Sequence, residues 1–307
     1  MSEQVQDKNI DEPGHFNMAA FIMLILGGIA IATSPIFMRF SEVTPTSAAF
    51  WRLLLAIPLL IIWQAYDIRK NKGAATPKLN IKDMKPFIIV GFFFALDLTM
   101  WHWSVELTSV ANSTLLANMA AIFTAVGGFL FFGERFSKTF IGGMMLALLG
   151  AMSLMGHSFE LAPENLSGDI LALITAVAYA GYMIFSAKAR KSYSTVSLVL
   201  GTAVIGAIFL LPIALNETGN FMPTNIGGWW PLIALAWFTH VVGQSLIVYA
   251  LAHLPAAFGS VTLLIQPVVA AILAWVLFGE YLSVYHFVGA ALIISGILVC
   301  KKGVRKN

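Results

Sequence analysis

Seven side chains in this sequence have the chemistry to hold a small solute and stand where such chemistry is costly. Arg52, Asp97, Trp101, Asn118, His240, Gln244 and Gln266 all lie inside long apolar runs. If those runs cross a bilayer, a charge near its centre costs roughly 2.5–3.5 kcal/mol and needs a partner, water or a purpose. Arg52 lies ~9 Å in from the outer end of its run, counting ~1.5 Å per helical residue. Asp97 sits near the middle of the next run, at a depth that permits an Arg52–Asp97 pair. Three readings are open. The pair is a static bridge, or Arg52 takes an anionic group while Asp97 takes a cation or proton, or Arg52 snorkels outward.

His240 and Gln244 are one helical turn apart, with Trp237 expected on the same face. Asn118 and Gln266 fall at comparable, near-central depth, and Trp101 lies one turn beyond Asp97. Any one of these residues alone serves as well for interhelical glue. Their shared level is what predicts a pocket, lined by Trp101, Asn118, His240, Gln244 and Gln266. His102 and Glu106 form a second one-turn pair nearer the outer surface, either a solvated edge pair or a proton-sensitive gate.

Membrane helices are the elements that must position these groups. The chain is 59% hydrophobic and 11% charged, against about 25% charged residues in a soluble chain. A hydrocarbon layer about 30 Å thick takes roughly 20 helical residues to cross. Ten segments approach that length: 18–39, 46–66, 86–106, 109–132, 138–156, 168–188, 195–215, 229–251, 256–278 and 284–301. They are continuous apolar runs rather than short alternating ones, so helices are expected and barrel strands are not. Pro35, Pro58, Pro212 and Pro267 fall inside them as expected kinks. Residues 1–17 lack the basic start of a signal peptide and read as a retained polar tail, with a second short tail at 302–307.

Lysine and arginine set the expected orientation. With the amino terminus cytoplasmic, sixteen of the eighteen basic residues fall inside or in tails, six of them between Asp67 and Lys85. The exceptions are Arg39, at the outer end of the first segment, and Arg52. Both termini are therefore expected in the cytoplasm, in a bacterial inner membrane. Cys300 is the single cysteine, so no internal disulfide forms.

The chain also repeats itself. FFGERFS at 131–137 is echoed by LFGEYLS at 277–283, an offset of 146 residues. The same offset aligns Gly143 with Gly289, Gly150 with Gly296 and Ala111 with Ala257. It also sets Pro35 opposite Gly181, the expected flexible points of the first and sixth segments. Each unit holds five segments, an odd number, so the second must enter the membrane inverted. The predicted fold is all-α, with ten transmembrane helices as two inverted five-helix repeats at 18–156 and 168–301. Inverted repeats with a site between them are a recurrent plan of secondary transporters. The paired glycines are expected to let helices approach closely. Glu134 and Glu280 are expected to cap the helices that follow them.

SPIFMRF with AAFWRLLLA (34–40 and 48–56), LDLTMWHWSVELTSVANSTLL (96–116) and GQSLIVYALAHLPAAFGSVTLLIQPVVAAILAWVLFGE (243–280) resemble the EamA family of the drug/metabolite transporter superfamily. The resemblance covers about 18–301. It implies ten helices, cytoplasmic termini and movement of metabolites, commonly export of amino acids or related solutes. Glu106 departs from the family pattern. No metalloprotease, nucleophile-elbow, Walker or dinucleotide motif is present, so no metal, cofactor or catalytic role is expected. The basic clusters lack interleaved aromatics, which argues against nucleic acid. The expected partners are a small solute, the bilayer and, as a coupling ion, the proton. Two halves in one chain make a monomer or weak dimer sufficient. An importer or exchanger of a bulkier metabolite and a lipid-linked sugar flippase are the alternatives.

Overall fold

A computed structural model of the chain describes residues 16–70, 84–155 and 163–304. Among the described residues all regular structure is helical, in ten units. These are α1 (Met18–Arg39), α2 (Pro45–Lys70), α3 (Lys85–Leu107), α4 (Asn112–Phe132), α5 (Lys138–Met155), α6 (Leu166–Ala189), α7 (Thr195–Asn216), α8 (Ile226–Ala250), α9 (Ala256–Phe278) and α10 (Val284–Val304). Nine of the described helices are long and apolar enough to cross a membrane. The other, α5, has 18 residues, close to the shortest helix that spans hydrocarbon. Most of the expected cytoplasmic loop, including Lys72, Lys78 and Lys82, lies outside the described residues, as do 1–15, 156–162 and 305–307.

The helix ends follow from local chemistry. The Asn17 side chain accepts from Ala20 N–H at 2.9 Å and opens α1, and Ser194 does the same for α7 through Ser197 N–H. Gly133 and Gly279 close α4 and α9 at φ of 66° and 69°, where any residue with a Cβ is strained. The expected caps from Glu134 and Glu280 are not made. Ser137 Oγ accepts from Phe140 N–H at 3.1 Å and caps α5, and Ser283 with His286 organises the start of α10. The two glutamates instead sit beyond a left-handed glycine that turns the chain back over the preceding helix. Their own N–H groups donate to Gly128 and Ala274.

Three prolines lie at breaks. The helix pauses at Thr33 before Pro35, at Leu55–Ala56 before Pro58 and at Leu263–Leu264 before Pro267. A proline lacks the N–H and crowds the preceding turn, so the pause falls just upstream. Trp237 Nε1 donates to Leu55 O at the second pause, at 3.2 Å. Pro212, expected to kink α7, leaves it unbroken. A fourth pause falls in α4 at Asn118–Met119, without a proline. The expected pairing of Pro35 with Gly181 as flexible points also fails. α6 runs straight through Gly181, where a Cβ would meet the Phe93 ring at 2.6 Å, so the glycine serves close packing.

α5 and α10 pack backbone to backbone through their glycines. A Cβ on Gly143 would lie 2.7 Å from Gly296 O, and one on Gly150 2.7 Å from Gly289 O. Low numbers of one helix meet high numbers of the other, so the two run antiparallel. Missing side chains let the backbones touch, which replaces hydrophobic drive as the source of helix affinity in lipid.

The turn between α1 and α2 is fastened to the α7–α8 loop. Glu217 accepts from Thr46 N–H and Oγ1 at 3.2 and 3.1 Å, capping α2. Glu42 accepts from Thr224 Oγ1 and N–H, which hold its carboxyl below the usual carboxylate range. Trp51 Nε1 donates to Phe221 O at 2.7 Å. These contacts hold the first stretch of α2, and with it Arg52, against the second half of the chain.

Candidate binding site

Arg52 ends the short first stretch of α2, 6% exposed, with its guanidinium 5.9 Å from the centre of the Phe94 ring on α3. Phe94 lies between Tyr182 of α6 at 5.0 Å and His240 of α8 at 5.6 Å. Tyr182 stacks on Tyr179 at 5.9 Å and accepts a hydrogen bond from Gln244 Nε2. Gln266, in the first turn after the pause in α9, faces the Tyr179 hydroxyl. Asp97 lies among Arg52, Tyr179 and Tyr182. Side chains from α2, α3, α6, α8 and α9 thus converge at one place.

The arrangement leaves hydrogen-bonding capacity unused. Arg52 Nε, His102 Nδ1, Asn118 Nδ2 and both ring nitrogens of His240 are buried and find no partner among the protein's own groups. A buried donor without an acceptor costs roughly 1–3 kcal/mol, and such groups call for a specific reason. Among the described residues no salt bridge joins Arg52 to Asp97, although the two charges attract one another. The static bridge is therefore not formed in this conformation.

Accessibility divides the expected pocket. His240 and Gln244 are 0% and 2% exposed. Asp97, Trp101, Asn118, Tyr179 and Gln266 keep partial access. Arg52 is buried, like His240 and Gln244, at 6% exposed. Trp101 joins through α3, one turn from Asp97. Asn118 stands at the pause in α4 and makes no hydrogen bond or ring contact to the others. Trp237, expected beside His240, is 48% exposed. The reason is the winding of α8, which is a π-helix over Leu235–Gln244. Its i→i+5 bonding widens the turn, so His240 and Gln244 still share a face while a residue three positions earlier does not. His102 and Glu106 also part: His102 is buried beside Trp101, and Glu106 lines a groove with Trp103 and Glu217.

Tyr179 and Tyr182 were not among the expected residues. A phenol reads as apolar in a hydropathy scan, so a search for polar atoms in hydrocarbon passes over it. Their signal is the spacing in AYAGY (178–182), which puts two hydroxyls on one face of α6 at mid-span. Among the described residues no group of three or more His, Cys, Asp or Glu is placed to hold a metal.

The sequence matches the EamA-like transporter family twice, over residues 18–156 and 166–300. An uncharacterized transporter of Archaeoglobus fulgidus is 25% identical over 291 residues, 92% of this chain and 96% of that protein. The uncharacterized transporter YyaM of Bacillus subtilis is 24% identical over 95% of each chain. The pseudopaline exporter CntI of Pseudomonas aeruginosa is 22% identical over 80% of this chain and 83% of its own. A solved crystal structure superimposes with a TM-score of 0.79 at 16% identity, covering 94% of this chain and 98% of the other, so the two share a fold. With nine membrane-length helices among the described residues and two successive matches, the chain is an integral membrane protein that belongs to the EamA-like transporter family.

Proposed function

We propose that the protein is a secondary carrier that exports a small amphipathic metabolite, such as an amino acid or related solute, by alternating access of two inverted five-helix halves. α5 is the tenth span, and both termini lie in the cytoplasm. The observation that carries the reading is the convergence of Arg52 and Asp97 from one half with Tyr179, His240, Gln244 and Gln266 from the other, with buried donors left unpaired. A site built from both halves is what rocking can expose to each side in turn. Trp101 and Tyr179 offer aromatic walls, and Asp97, Arg52, Asn118 and Gln266 offer polar groups, a combination suited to an amphipath.

Inversion of the halves is supported by crossed contacts between two pairs of glycines that the 146-residue offset makes equivalent. Gly143 touches Gly296 while Gly150 touches Gly289, the crossing expected of two equivalent helices around a two-fold axis. Phe94 and His240 occupy the same repeat position and meet each other. Export as the direction draws support from the relative named as a pseudopaline exporter. Asp97 is the place for a coupling proton. A flippase would use a lateral opening at the site. The lateral groove between α3 and α7 is lined by Trp103, Pro212, Asn216 and Thr218, none of them in the central cluster.

His240, Gln244 and Gln266 changed individually to alanine should leave folded yield near wild type. Solute flux in proteoliposomes, screened by mass spectrometry, should fall or change its preference. Gln244→Ala also removes the tether on Tyr182, a buried bond of about 1 kcal/mol, and should act most on preference. Three variants that transport as wild type would reduce these residues to interhelical glue.

A further inference from the structure

The two Phe-Gly-Glu turns are built alike at opposite ends of the bundle. Gly133 and Gly279 are both left-handed, and Glu134 and Glu280 both follow them. Each phenylalanine carries a cation from the last turn of the helix that opens a half. Arg39 of α1 lies 4.3 Å from the centre of Phe278, and Lys188 of α6 lies 5.6 Å from that of Phe132. The turns differ in one respect. At the outer turn Arg39 Nη1 is paired with Glu280 Oε1. Phe40 packs on Phe278 at 5.6 Å and on Trp230 at 5.4 Å, so α1, α8 and α9 are gathered at one point.

At the inner turn the carboxylate lies back against Gly128, with Oε2 buried and unpartnered. Lys191 attracts it without reaching an ion pair, and burial raises its pKa above the usual carboxylate range.

The geometry points to these turns as paired clasps of the transport cycle, the outer one fastened by Arg39–Glu280 and the inner one, Glu134 with Lys188 or Lys191, open. This rests on the alternating-access reading. The Arg39 and Glu280 side chains are 56% and 48% exposed, and an exposed pair of this kind is worth roughly 0.2–1 kcal/mol. That is enough to bias two states of similar free energy and too little to lock one. A carrier needs both properties, because a conformation held several kcal/mol below the other stops the cycle. The aromatic contacts add the orientation that a lone surface pair lacks.

The test is a pair of distances measured by electron paramagnetic resonance, in a Cys300→Ser background reconstituted in lipid. One spin-label pair is placed outside at Ser41 and Tyr281, the other inside at Lys138 and Ser192. Wild type should show a dominant short outer separation. Glu280→Gln should raise a longer outer separation roughly twofold to fivefold and shorten the inner one. The exchange Arg39→Glu with Glu280→Arg should restore the wild-type distribution. Molar salt, with a Debye length of about 3 Å, should shift wild type towards the Glu280→Gln pattern and leave that variant unmoved. If both label pairs exchange between two separations and Glu280→Gln has no effect, the clasp is wrong and alternating access stands. If neither pair shows a second separation in any variant or at high salt, alternating access falls, and the clasp with it.

Discussion

Gly296→Leu is expected to abolish most of the folded protein, while Gly142→Leu in the partner helix is expected to change nothing. A Cβ on Gly296 would lie 2.5 Å from Ala147 N and 2.6 Å from Gly143 O, both backbone atoms of α5. Neither can swing aside as a side-chain tip does, so α5 and α10 must separate along their length. Overpacking of this kind costs about 1–3 kcal/mol, which is roughly fivefold to a hundredfold or more in the folded population. In lipid the loss is compounded, since separated helices recover no hydrophobic burial. Gly142 has nothing within 4 Å of its Cβ position and faces away from the contact. Yield of monodisperse protein after detergent extraction reads the difference. Equal yields for the two variants would remove the glycine contact as the source of the pairing.

Asp97→Asn is expected to keep yield and lose flux. Asp97 has partial access in the middle of the bundle and no ion pair with Arg52. Neutralising it removes a charge from hydrocarbon and relieves its cost, so stability does not suffer. A substrate amine or coupling proton held there loses a charged partner. Hydrogen bonds to charged groups contribute about 1.5–3 kcal/mol, or roughly tenfold to a hundredfold in affinity. Adding Arg52→Gln should not recover transport, because no bridge is there to be balanced. Recovery of both yield and flux in the double variant would make the two residues a structural pair after all.

Much of this was legible in the residues. Long apolar runs gave the spans because lipid admits only segments that satisfy their own backbone. The 146-residue echo anticipated the crossed contacts of Gly143, Gly150, Gly289 and Gly296, since backbone contact leaves small residues at fixed spacing. Of the five residues expected at one depth, His240, Gln244 and Gln266 meet the Phe94–Tyr182–Tyr179 group, while Asn118 does not touch it. What stayed hidden depends on winding and on hydroxyls. The π-helical stretch of α8 has no marker in LAWFTHVVGQ, and it moved Trp237 out of the face that α-helical spacing assigned to it. Tyr179 and Tyr182 were masked by their rings. Glu134 and Glu280 looked like caps because acids favour helix starts, but the left-handed glycine before each sends the chain back first. Pro212 differs from the other three prolines in lying within an unbroken helix. Its freed carbonyl lies in α7, which packs against α2 and α3 without a pause there.

Accessibility of the cluster from the two sides of the membrane tests the central claim most directly. Single cysteines at Asn118 and Gln266, one from each half, would be placed in a Cys300→Ser background in oriented vesicles. An impermeant maleimide would be added to one side or the other. A site between halves that open alternately predicts slow labelling of both positions from either side. It also predicts protection when an outer cross-link between Ser41 and Tyr281 closes one route. Labelling from one side only, unchanged by that cross-link, or no labelling from either side, would contradict a carrier site at this place.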